Sequence, residues 1–198
     1  MNGYEKRAKK KREEIIEAAQ CLLLQNGITN TTIEQIAEMA RASRVTVFKY
    51  FGDKKGLVEE VVRIWANLIM QEYRKIVESD QPFHAKVKQI VKGLEQIGAS
   101  PVTVDIRRNN ELMKTINEII KESGLPKIIE LIEAGKKAGV IDPSLENDAI
   151  LIYFSAFSRI VSDPNYIMKD KIIHNNLFNM FMGGLIMNWY SLDDCDDS

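Results

Sequence analysis

A short segment in the first third of the chain combines side chains that hydrogen-bond to bases with side chains that neutralise phosphate. It reads S-R-V-T-V-F-K-Y-F-G-D-K-K-G-L, from Ser43 to Leu57. An arginine can donate to O6 and N7 of guanine at once, valine and threonine methyl groups can contact the thymine methyl, and lysine neutralises phosphate. This composition predicts a surface that contacts duplex DNA.

The preceding residues predict the helices that would position this segment. Thr32 is placed to begin a short helix with a capping box, in which Gln35 stands at the third helical position. Thr31 with Glu34 fits the same pattern, so the sequence leaves two caps open. Ser43 is placed to cap the next helix. Two helices joined by a short turn form the geometry that lays a recognition helix into the major groove.

Helical spacing also predicts which side of the third helix faces outward. Val47 and Phe51 are four residues apart and are expected to point inward against the preceding helix. The exposed face and its flanks are then formed by Arg44, Val45, Thr46, Phe48 and Lys49. Beyond this helix, Asp53 caps a fourth helix, whose unpaired first N–H groups and Lys54 offer a phosphate site.

The stretch from Thr31 to Leu57, T-T-I-E-Q-I-A-E-M-A-R-A-S-R-V-T-V-F-K-Y-F-G-D-K-K-G-L, resembles the DNA-binding signature of the tetracycline-repressor (TetR) family of bacterial regulators. So many matches over so short a stretch make the resemblance specific, unlike a lone glycine motif. The matching positions are Thr32, Ile36, Ala37, Ala40, Ser43, Thr46, Phe48 in place of the usual tyrosine, Tyr50, Phe51, Lys54 and Leu57.

The resemblance implies a role for each residue of the DNA-contacting surface. Thr32 and Lys54 are expected to contact phosphate, and Arg44 and Val45 are the expected base readers. The residues expected to line the backbone and groove are Thr46, Phe48, Lys49 and Tyr50. The two aromatic members of that set could instead be core residues.

Three positions depart from the family pattern. Arg41-Ala42 occupies the turn where Gly-Val is usual, and a non-glycine residue in the left-handed conformation costs about 1 kcal/mol, which predicts a differently shaped turn. Lys49 replaces a common histidine and keeps a phosphate donor. Val45 replaces a small residue, so its bulk is expected to change the accepted base pair.

A basic run is expected to precede the first predicted helix. Six of the eleven Lys and Arg side chains of residues 1–60 fall between Lys6 and Arg12. From this run, Lys10 and Arg12 are expected to reach flanking phosphates or the minor groove, while half of it could be a solvated, frayed helix end. The alternative function is a membrane-surface or protein-interaction module that uses this basic N-terminus on anionic lipid.

Helical periodicity dominates the whole chain, which predicts an all-helical fold. The longest segment of alternating period, Pro101 to Ile106, has no partner strand. We expect a linking helix from Lys54 to about residue 78, followed by helices near 83–97, 105–122, 126–138, 145–161 and 169–190. The predicted domains are a helix-turn-helix DNA-binding domain at 1–53 and a helical regulatory and dimerisation domain at 54–198.

Residues 149–161 and 177–190, within the last two predicted helices, are apolar nearly all round, so each helix needs a neighbour on both sides. One neighbour can be the chain's own core, and the other a second copy of the chain in a four-helix arrangement. Gly183 and Gly184 would let backbones approach there, or would only loosen the helix. The expected dimer interface comprises Phe154, Phe178, Phe181, Met182, Leu185 and Trp189.

From about residue 58 onward the resemblance to the family is architectural, and it implies a regulatory domain that encloses a small-molecule effector. Binding of this effector would release a homodimeric repressor from a pseudo-palindromic operator. Asp105, Arg107 and Arg108 could meet a polar headgroup or form a solvated helix face. The expected pocket residues are Trp65, Ile69, Tyr73, Met113, Tyr153 and Phe157, each of which could equally be core.

Several other functions lack support in the sequence. Among its 198 residues, no apolar run approaches the roughly 18 needed to span a membrane, and Cys21 and Cys195 are too far apart for a disulfide scaffold. His84 and His174 have no neighbours at metal-ligand spacing. We therefore expect no metal, no cofactor, no catalytic residues and no membrane partner, and a cytoplasmic location.

Overall fold

The computed structural model describes residues 3–98, 100–161 and 171–187, and within these ranges every regular element is a helix. The prediction of an all-helical fold is confirmed. The α-helices are α1 (Gly3–Asn26), α2 (Ile33–Met39), α3 (Arg44–Phe51), α4 (Lys54–Glu78), α5 (Phe83–Gly98), α6 (Pro101–Arg107), α7 (Asn110–Ile119), α8 (Leu125–Lys137), α9 (Asn147–Val161) and α10 (Lys171–Leu185).

The chain forms two compact units, and the first of them contains residues 1–70 and 100–121. Its core is built from the apolar faces of α1 to α4, closed on one side by α6 and α7. Ile15, Ile36 and Val47 are completely buried in this core, which confirms the inward position predicted for Val47. This core holds α2 and α3 at a fixed angle, because both helices bury one face in it.

The second unit contains residues 71–99 and 122–198 and packs α5, α8, α9 and α10 around an aromatic cluster. The rings of Phe157 and Phe181 stack with centroids 3.9 Å apart at 9°. Tyr153 lies beside them and donates its hydroxyl to the carbonyl of Phe181 at 3.2 Å. Gly184 allows this approach, since an ideal Cβ there would lie 2.5 Å from the Tyr153 hydroxyl. Its small size therefore serves packing within one chain.

The middle of the chain differs from the predicted helix pattern. The alternating segment at 101–106 is helical in α6, and the helix predicted over 105–122 is two helices. The break arises because Asn109 caps α7, with Oδ1 accepting from the backbone N–H groups of Glu111 and Leu112 at 3.1 Å each. The predicted break before 126 is instead a π-helical turn, Ile120–Gly124, that runs into α8. Pro126 is tolerated in the first turn of α8, where its missing N–H needs no partner.

The sequence predicts one domain boundary, after residue 53. The contacts within the chain instead separate the two units after residues 70, 99 and 121. Most of α4, together with α6 and α7, belongs to the same unit as the helix-turn-helix. The reason is that α6 packs against α1 and that its Asp105 carboxylate holds the loop between α1 and α2. The sequence pattern of 101–107 carries no information about this long-range partner.

Candidate DNA-binding site

The cap of α2 decides between the two patterns that the sequence leaves open. Thr32 Oγ1 accepts from the backbone N–H of Gln35 at 3.2 Å, and Gln35 Oε1 accepts from the backbone N–H of Thr32 at 2.8 Å. Thr31 is fully buried and donates its hydroxyl to the carbonyl of Gly27 at 2.7 Å. Because Gln35 completes the box, the Glu34 carboxylate is left for another contact.

The turn between α2 and α3 keeps the left-handed conformation despite its unusual sequence. Arg41 has φ 48°, the region that glycine usually occupies. The predicted change in turn shape is therefore not found. Lys11 of α1 supports the turn by donating to the carbonyls of Ala40 at 3.3 Å and Arg41 at 3.5 Å. Its ammonium group also forms an ion pair with Glu14, and this hydrogen bond lowers the pKa of the Glu14 carboxyl.

The recognition helix α3 is capped and presents an apolar and basic surface. Ser43 Oγ accepts from the backbone N–H of Thr46 at 3.0 Å, and the two hydroxyls lie 2.8 Å apart. Val45 is 76% exposed, and Phe48 and Lys49 are exposed as well. These three side chains can therefore meet a duplex without rearrangement of the helix.

The two aromatic residues with open assignments differ in burial. Phe48 is 39% exposed and lies on the outward surface. Tyr50 is half-buried and packs against the core of the first unit, with its ring centroid 6.3 Å from that of Phe51. Phe48 is thus available to the groove, whereas Tyr50 serves mainly to seat the helix.

Three cations predicted to contact DNA are already held by acceptors on the protein. Arg44 Nη1 lies 2.9 Å from Glu34 Oε1, and Arg12 Nη2 lies 2.8 Å from an oxygen of Glu60. Arg12 also lies 5.2 Å above the centre of the Phe51 ring. Lys54 donates to the carbonyl of Ile28 at 2.7 Å. Arg12 and Lys54 therefore link elements of the first unit.

The basic run at the N-terminus belongs to α1, contrary to the expectation that it precedes the first helix. α1 begins at Gly3, so the run forms its first turns. Lys10 is exposed, whereas Arg12 is tied to α4. The apolar face that follows in α1 is buried in the core of the first unit. That face is unavailable as a lipid anchor, so the structure does not support the membrane-surface alternative.

The charged group at 105–108 includes a contact that sequence analysis missed. Asp105 Oδ2 accepts from the backbone N–H groups of Ile28 at 2.6 Å and Thr29 at 3.1 Å. Gly27 is required beside it, since an ideal Cβ at that position would lie 2.8 Å from the same oxygen. Asp105 is therefore neither a solvated residue nor free to meet a headgroup. Nothing in the sequence pattern around Asp105 predicts its contact with the loop between α1 and α2.

The six predicted pocket residues fall into two groups, one in each unit. Trp65 and Met113 pack against the core of the first unit, where Ile69 is also half-buried. In the second unit, Phe157 and Tyr153 belong to the aromatic cluster. Tyr73 differs from the others because its hydroxyl is buried without a hydrogen-bond partner among the described residues. Burial raises the pKa of Tyr73 above its ordinary value.

The predicted dimer residues lie mostly inside the second unit. Three of them, Phe181, Met182 and Leu185, are buried in its core. Phe154 and Phe178 are half-buried against the same core, and Trp189 lies outside the described residues. Helical spacing could not show which face of α10 packs against the core of its own chain, because residues 177–185 are apolar nearly all round. The apolar side chains that remain exposed on α9 and α10 include Ile152, Ile160, Ile173 and Met180.

Two other classes of site are absent from the part of the chain that the structure describes. No group of three or more His, Cys, Asp or Glu side chains there could hold a metal ion. No described helix is both long and apolar enough to cross a membrane. The surface around α3 is therefore the candidate site with the most specific geometry.

Comparisons with known proteins agree with this geometry. The sequence model described as "Bacterial regulatory proteins, tetR family" matches residues 15–61, which include α2, α3 and the turn between them. The "Probable acrEF/envCD operon repressor" of Escherichia coli strain K12 is 26% identical over 202 residues, covering 88% of each chain. Residues 15–61 of this chain therefore match the TetR family of bacterial regulatory proteins.

One further relative and one solved structure show how far the similarity extends. The repressor KstR2 of Rhodococcus jostii is 27% identical over 146 residues, covering 70% of this chain and 69% of its own. The solved structure of FadR from Bacillus subtilis in complex with stearoyl-CoA shares the fold, with a TM-score of 0.65 and 19% identity. It covers 87% of this chain and 98% of the FadR chain, so the likeness includes the region beyond the reading helices.

Proposed function

We propose that this chain is a TetR-family repressor that binds a pseudo-palindromic operator as a homodimer and releases it when a small molecule binds. The observation that carries the proposal is the capped helix α3, which exposes Val45, Phe48 and Lys49 with Arg44 at its first turn. In a two-fold dimer, two such helices would enter successive major grooves roughly 34 Å apart.

Selection from a random duplex pool, followed by titration of the winning site at two salt concentrations, tests this function. We expect enrichment of a two-fold-symmetric site with affinity well above that for random duplex. Arg44→Ala should relax the preference at one position per half-site and weaken specific binding about tenfold to a hundredfold. Lys49→Ala, on the same helix, should weaken all duplexes alike and reduce the salt slope by about one. Failure to enrich any site would contradict the proposal.

A homodimer is supported by the apolar surface that the second unit leaves exposed. Ile152 is 71% exposed on α9, and Met180 is 66% exposed on α10. Side chains of this kind on adjacent helices favour burial against another surface. A second copy of the same helices supplies a matching apolar surface, because a two-fold interface uses the same patch on both partners.

Control by a small apolar molecule is supported by the second unit and by one solved structure of similar fold. The aromatic cluster around Phe157 and the unpaired hydroxyl of Tyr73 provide an apolar environment with one polar group to satisfy. FadR of Bacillus subtilis was crystallised with stearoyl-CoA. We propose an effector with a long apolar body for this chain. An acyl-CoA series should raise the melting temperature and lower operator affinity in parallel, and no response to any chain length would refute this effector class.

A further inference from the structure

An ion pair joins the reading helix to the helix before it. Arg44 is the first residue of α3, and Glu34 is the second residue of α2. Arg44 Nη1 lies 2.9 Å from Glu34 Oε1, and the two side chains are 60% and 53% exposed. The pair is thus open to solvent on the surface assigned to DNA.

The helix cap does not require Glu34. The capping box of α2 uses Thr32 and Gln35, so the Glu34 carboxylate is free of that task. An exposed ion pair of this kind contributes about 0.2–1 kcal/mol to folding. A negative charge at this position also repels the phosphates of any duplex that approaches. Glu34 also lies in the first turn of α2, where the helix dipole favours a negative charge, but neither this nor the cap accounts for its contact with the expected base reader.

Arginine chemistry provides the explanation. A guanidinium has five N–H donors in a planar fork, and contact with one carboxylate oxygen leaves enough donors for a guanine edge. Holding the fork in advance removes part of the rotamer freedom that Arg44 would otherwise lose on binding. The carboxylate also competes with phosphate for the same guanidinium, which weakens contacts that carry no sequence information.

We propose that Glu34 is a positioning residue that holds Arg44 in its base-reading orientation and disfavours binding of Arg44 to phosphate on random DNA. This inference rests on the proposed operator-binding function. It makes discrimination a property of a pair of residues on two helices, of which only Arg44 was identified from the sequence.

Three variants of the full chain test the inference by selection from a random duplex pool and titration on selected and random duplexes. Glu34→Ala should raise affinity for random duplex severalfold and lower the preference at one base pair per half-site about tenfold. Glu34→Gln keeps an acceptor for Arg44 without the charge, so it should retain part of that preference. Glu38→Ala is the matched control, because it removes the same charge from an exposed position of α2. It should raise random binding without changing any base preference.

A double-mutant comparison separates positioning from a general change in charge or fold. In the Arg44→Ala background, Glu34→Ala should cause no further loss of base preference, since the positioned group is already absent. Melting temperatures of the single variants should stay close to that of the parent chain. The inference is overturned if Glu34→Ala keeps the parent preference, or if Glu38→Ala loses it equally. A parent chain that enriches no site would overturn the operator-binding function itself, and this inference with it.

Discussion

At the scale of single residues, Arg41 shows how this chain forms a left-handed turn without glycine. The backbone at Arg41 is left-handed, with φ 48°, and its carbonyl and that of Ala40 accept from the Lys11 ammonium group. The conformation costs a residue with a side chain about 1–2 kcal/mol. Lys11 offsets part of that cost by satisfying carbonyls at the end of α2.

Replacing Arg41 by glycine should therefore stabilise the chain. Arg41→Gly should raise the free energy of unfolding by about 0.5–1 kcal/mol, because release of the left-handed strain exceeds the added freedom of the unfolded chain. Urea unfolding of the two proteins measures the difference. Arg41→Ala removes the same side chain but keeps the strain, so it should give no such gain. A glycine variant no more stable than the alanine variant would refute the role of strain.

Residue exposure on α3 could be predicted from helical spacing, whereas ionic partners could not. The inward position of Val47 and the outward positions of Val45 and Lys49 agree with the spacing. Arg12, by contrast, pairs with Glu60, which lies 48 positions later in the sequence and on another helix. Such pairing depends on how helices pack, and a single sequence contains no direct record of that.

At the scale of elements, the loop between α1 and α2 is held from two sides at one peptide position. The N–H of Ile28 donates to Asp105 of α6, and the carbonyl of Ile28 accepts from Lys54 of α4. Both contacts involve an ionised partner, and such hydrogen bonds are about twice as strong as neutral ones. The position of α2, and with it α3, thus depends on two helices outside the reading motif.

Asp105→Asn tests how far the stability of the first unit depends on the contact between α6 and this loop. The amide keeps one acceptor but loses the charge, and we expect a loss of about 1–2 kcal/mol in the free energy of unfolding. Chemical denaturation followed by circular dichroism measures it. Asp80→Asn makes the same chemical change at an exposed carboxylate and should have almost no effect. Equal stability of the two variants would show that the Asp105 contacts contribute little.

The packing of α9 against α10 leads to a second prediction at this scale. Gly184→Ala places a methyl group where only 2.5 Å separates it from the Tyr153 hydroxyl, so we expect a loss of about 1–3 kcal/mol. In a Tyr153→Phe background the penalty should shrink, because the nearest atom is gone. Gly93→Ala is the control, since its Cβ would meet Tyr73 at an ordinary 3.5 Å. Identical penalties in both backgrounds would rule out the clash.

At the scale of the whole molecule, helix order was predictable and the partition of helices between units was not. The helical spacing of α3 predicts that Val47 faces inward, and this side chain is buried. Phe181 and Met182 of α10 face inward, whereas Met180 faces outward. The sequence does not predict this difference, because the neighbouring residues are apolar as well. The inward orientation of Phe181 depends on its ring contacts with Tyr153 and Phe157, which are distant from it in sequence.

The exposed surface of α10 leads to a prediction about assembly. Met180→Glu should convert a dimer to a monomer, because a buried, unpaired carboxylate at a two-fold axis appears twice in the interface. Sedimentation velocity at several concentrations measures the change. Leu68→Glu alters an exposed apolar residue of α4 in the first unit and should leave the dimer intact. A Met180→Glu protein that remains dimeric would place the interface elsewhere.

The first unit is discontinuous, since the chain passes between the two units three times, after residues 70, 99 and 121. This topology has a consequence for recombination between family members. A chimera that joins residues 1–53 of this chain to the regulatory part of a relative would lose Asp105 and Lys54, which hold the loop at Ile28. Grafts that carry residues 100–121 along with the first 70 should keep their DNA-reading surface, and the operator specificity of such hybrids should depend on that second segment.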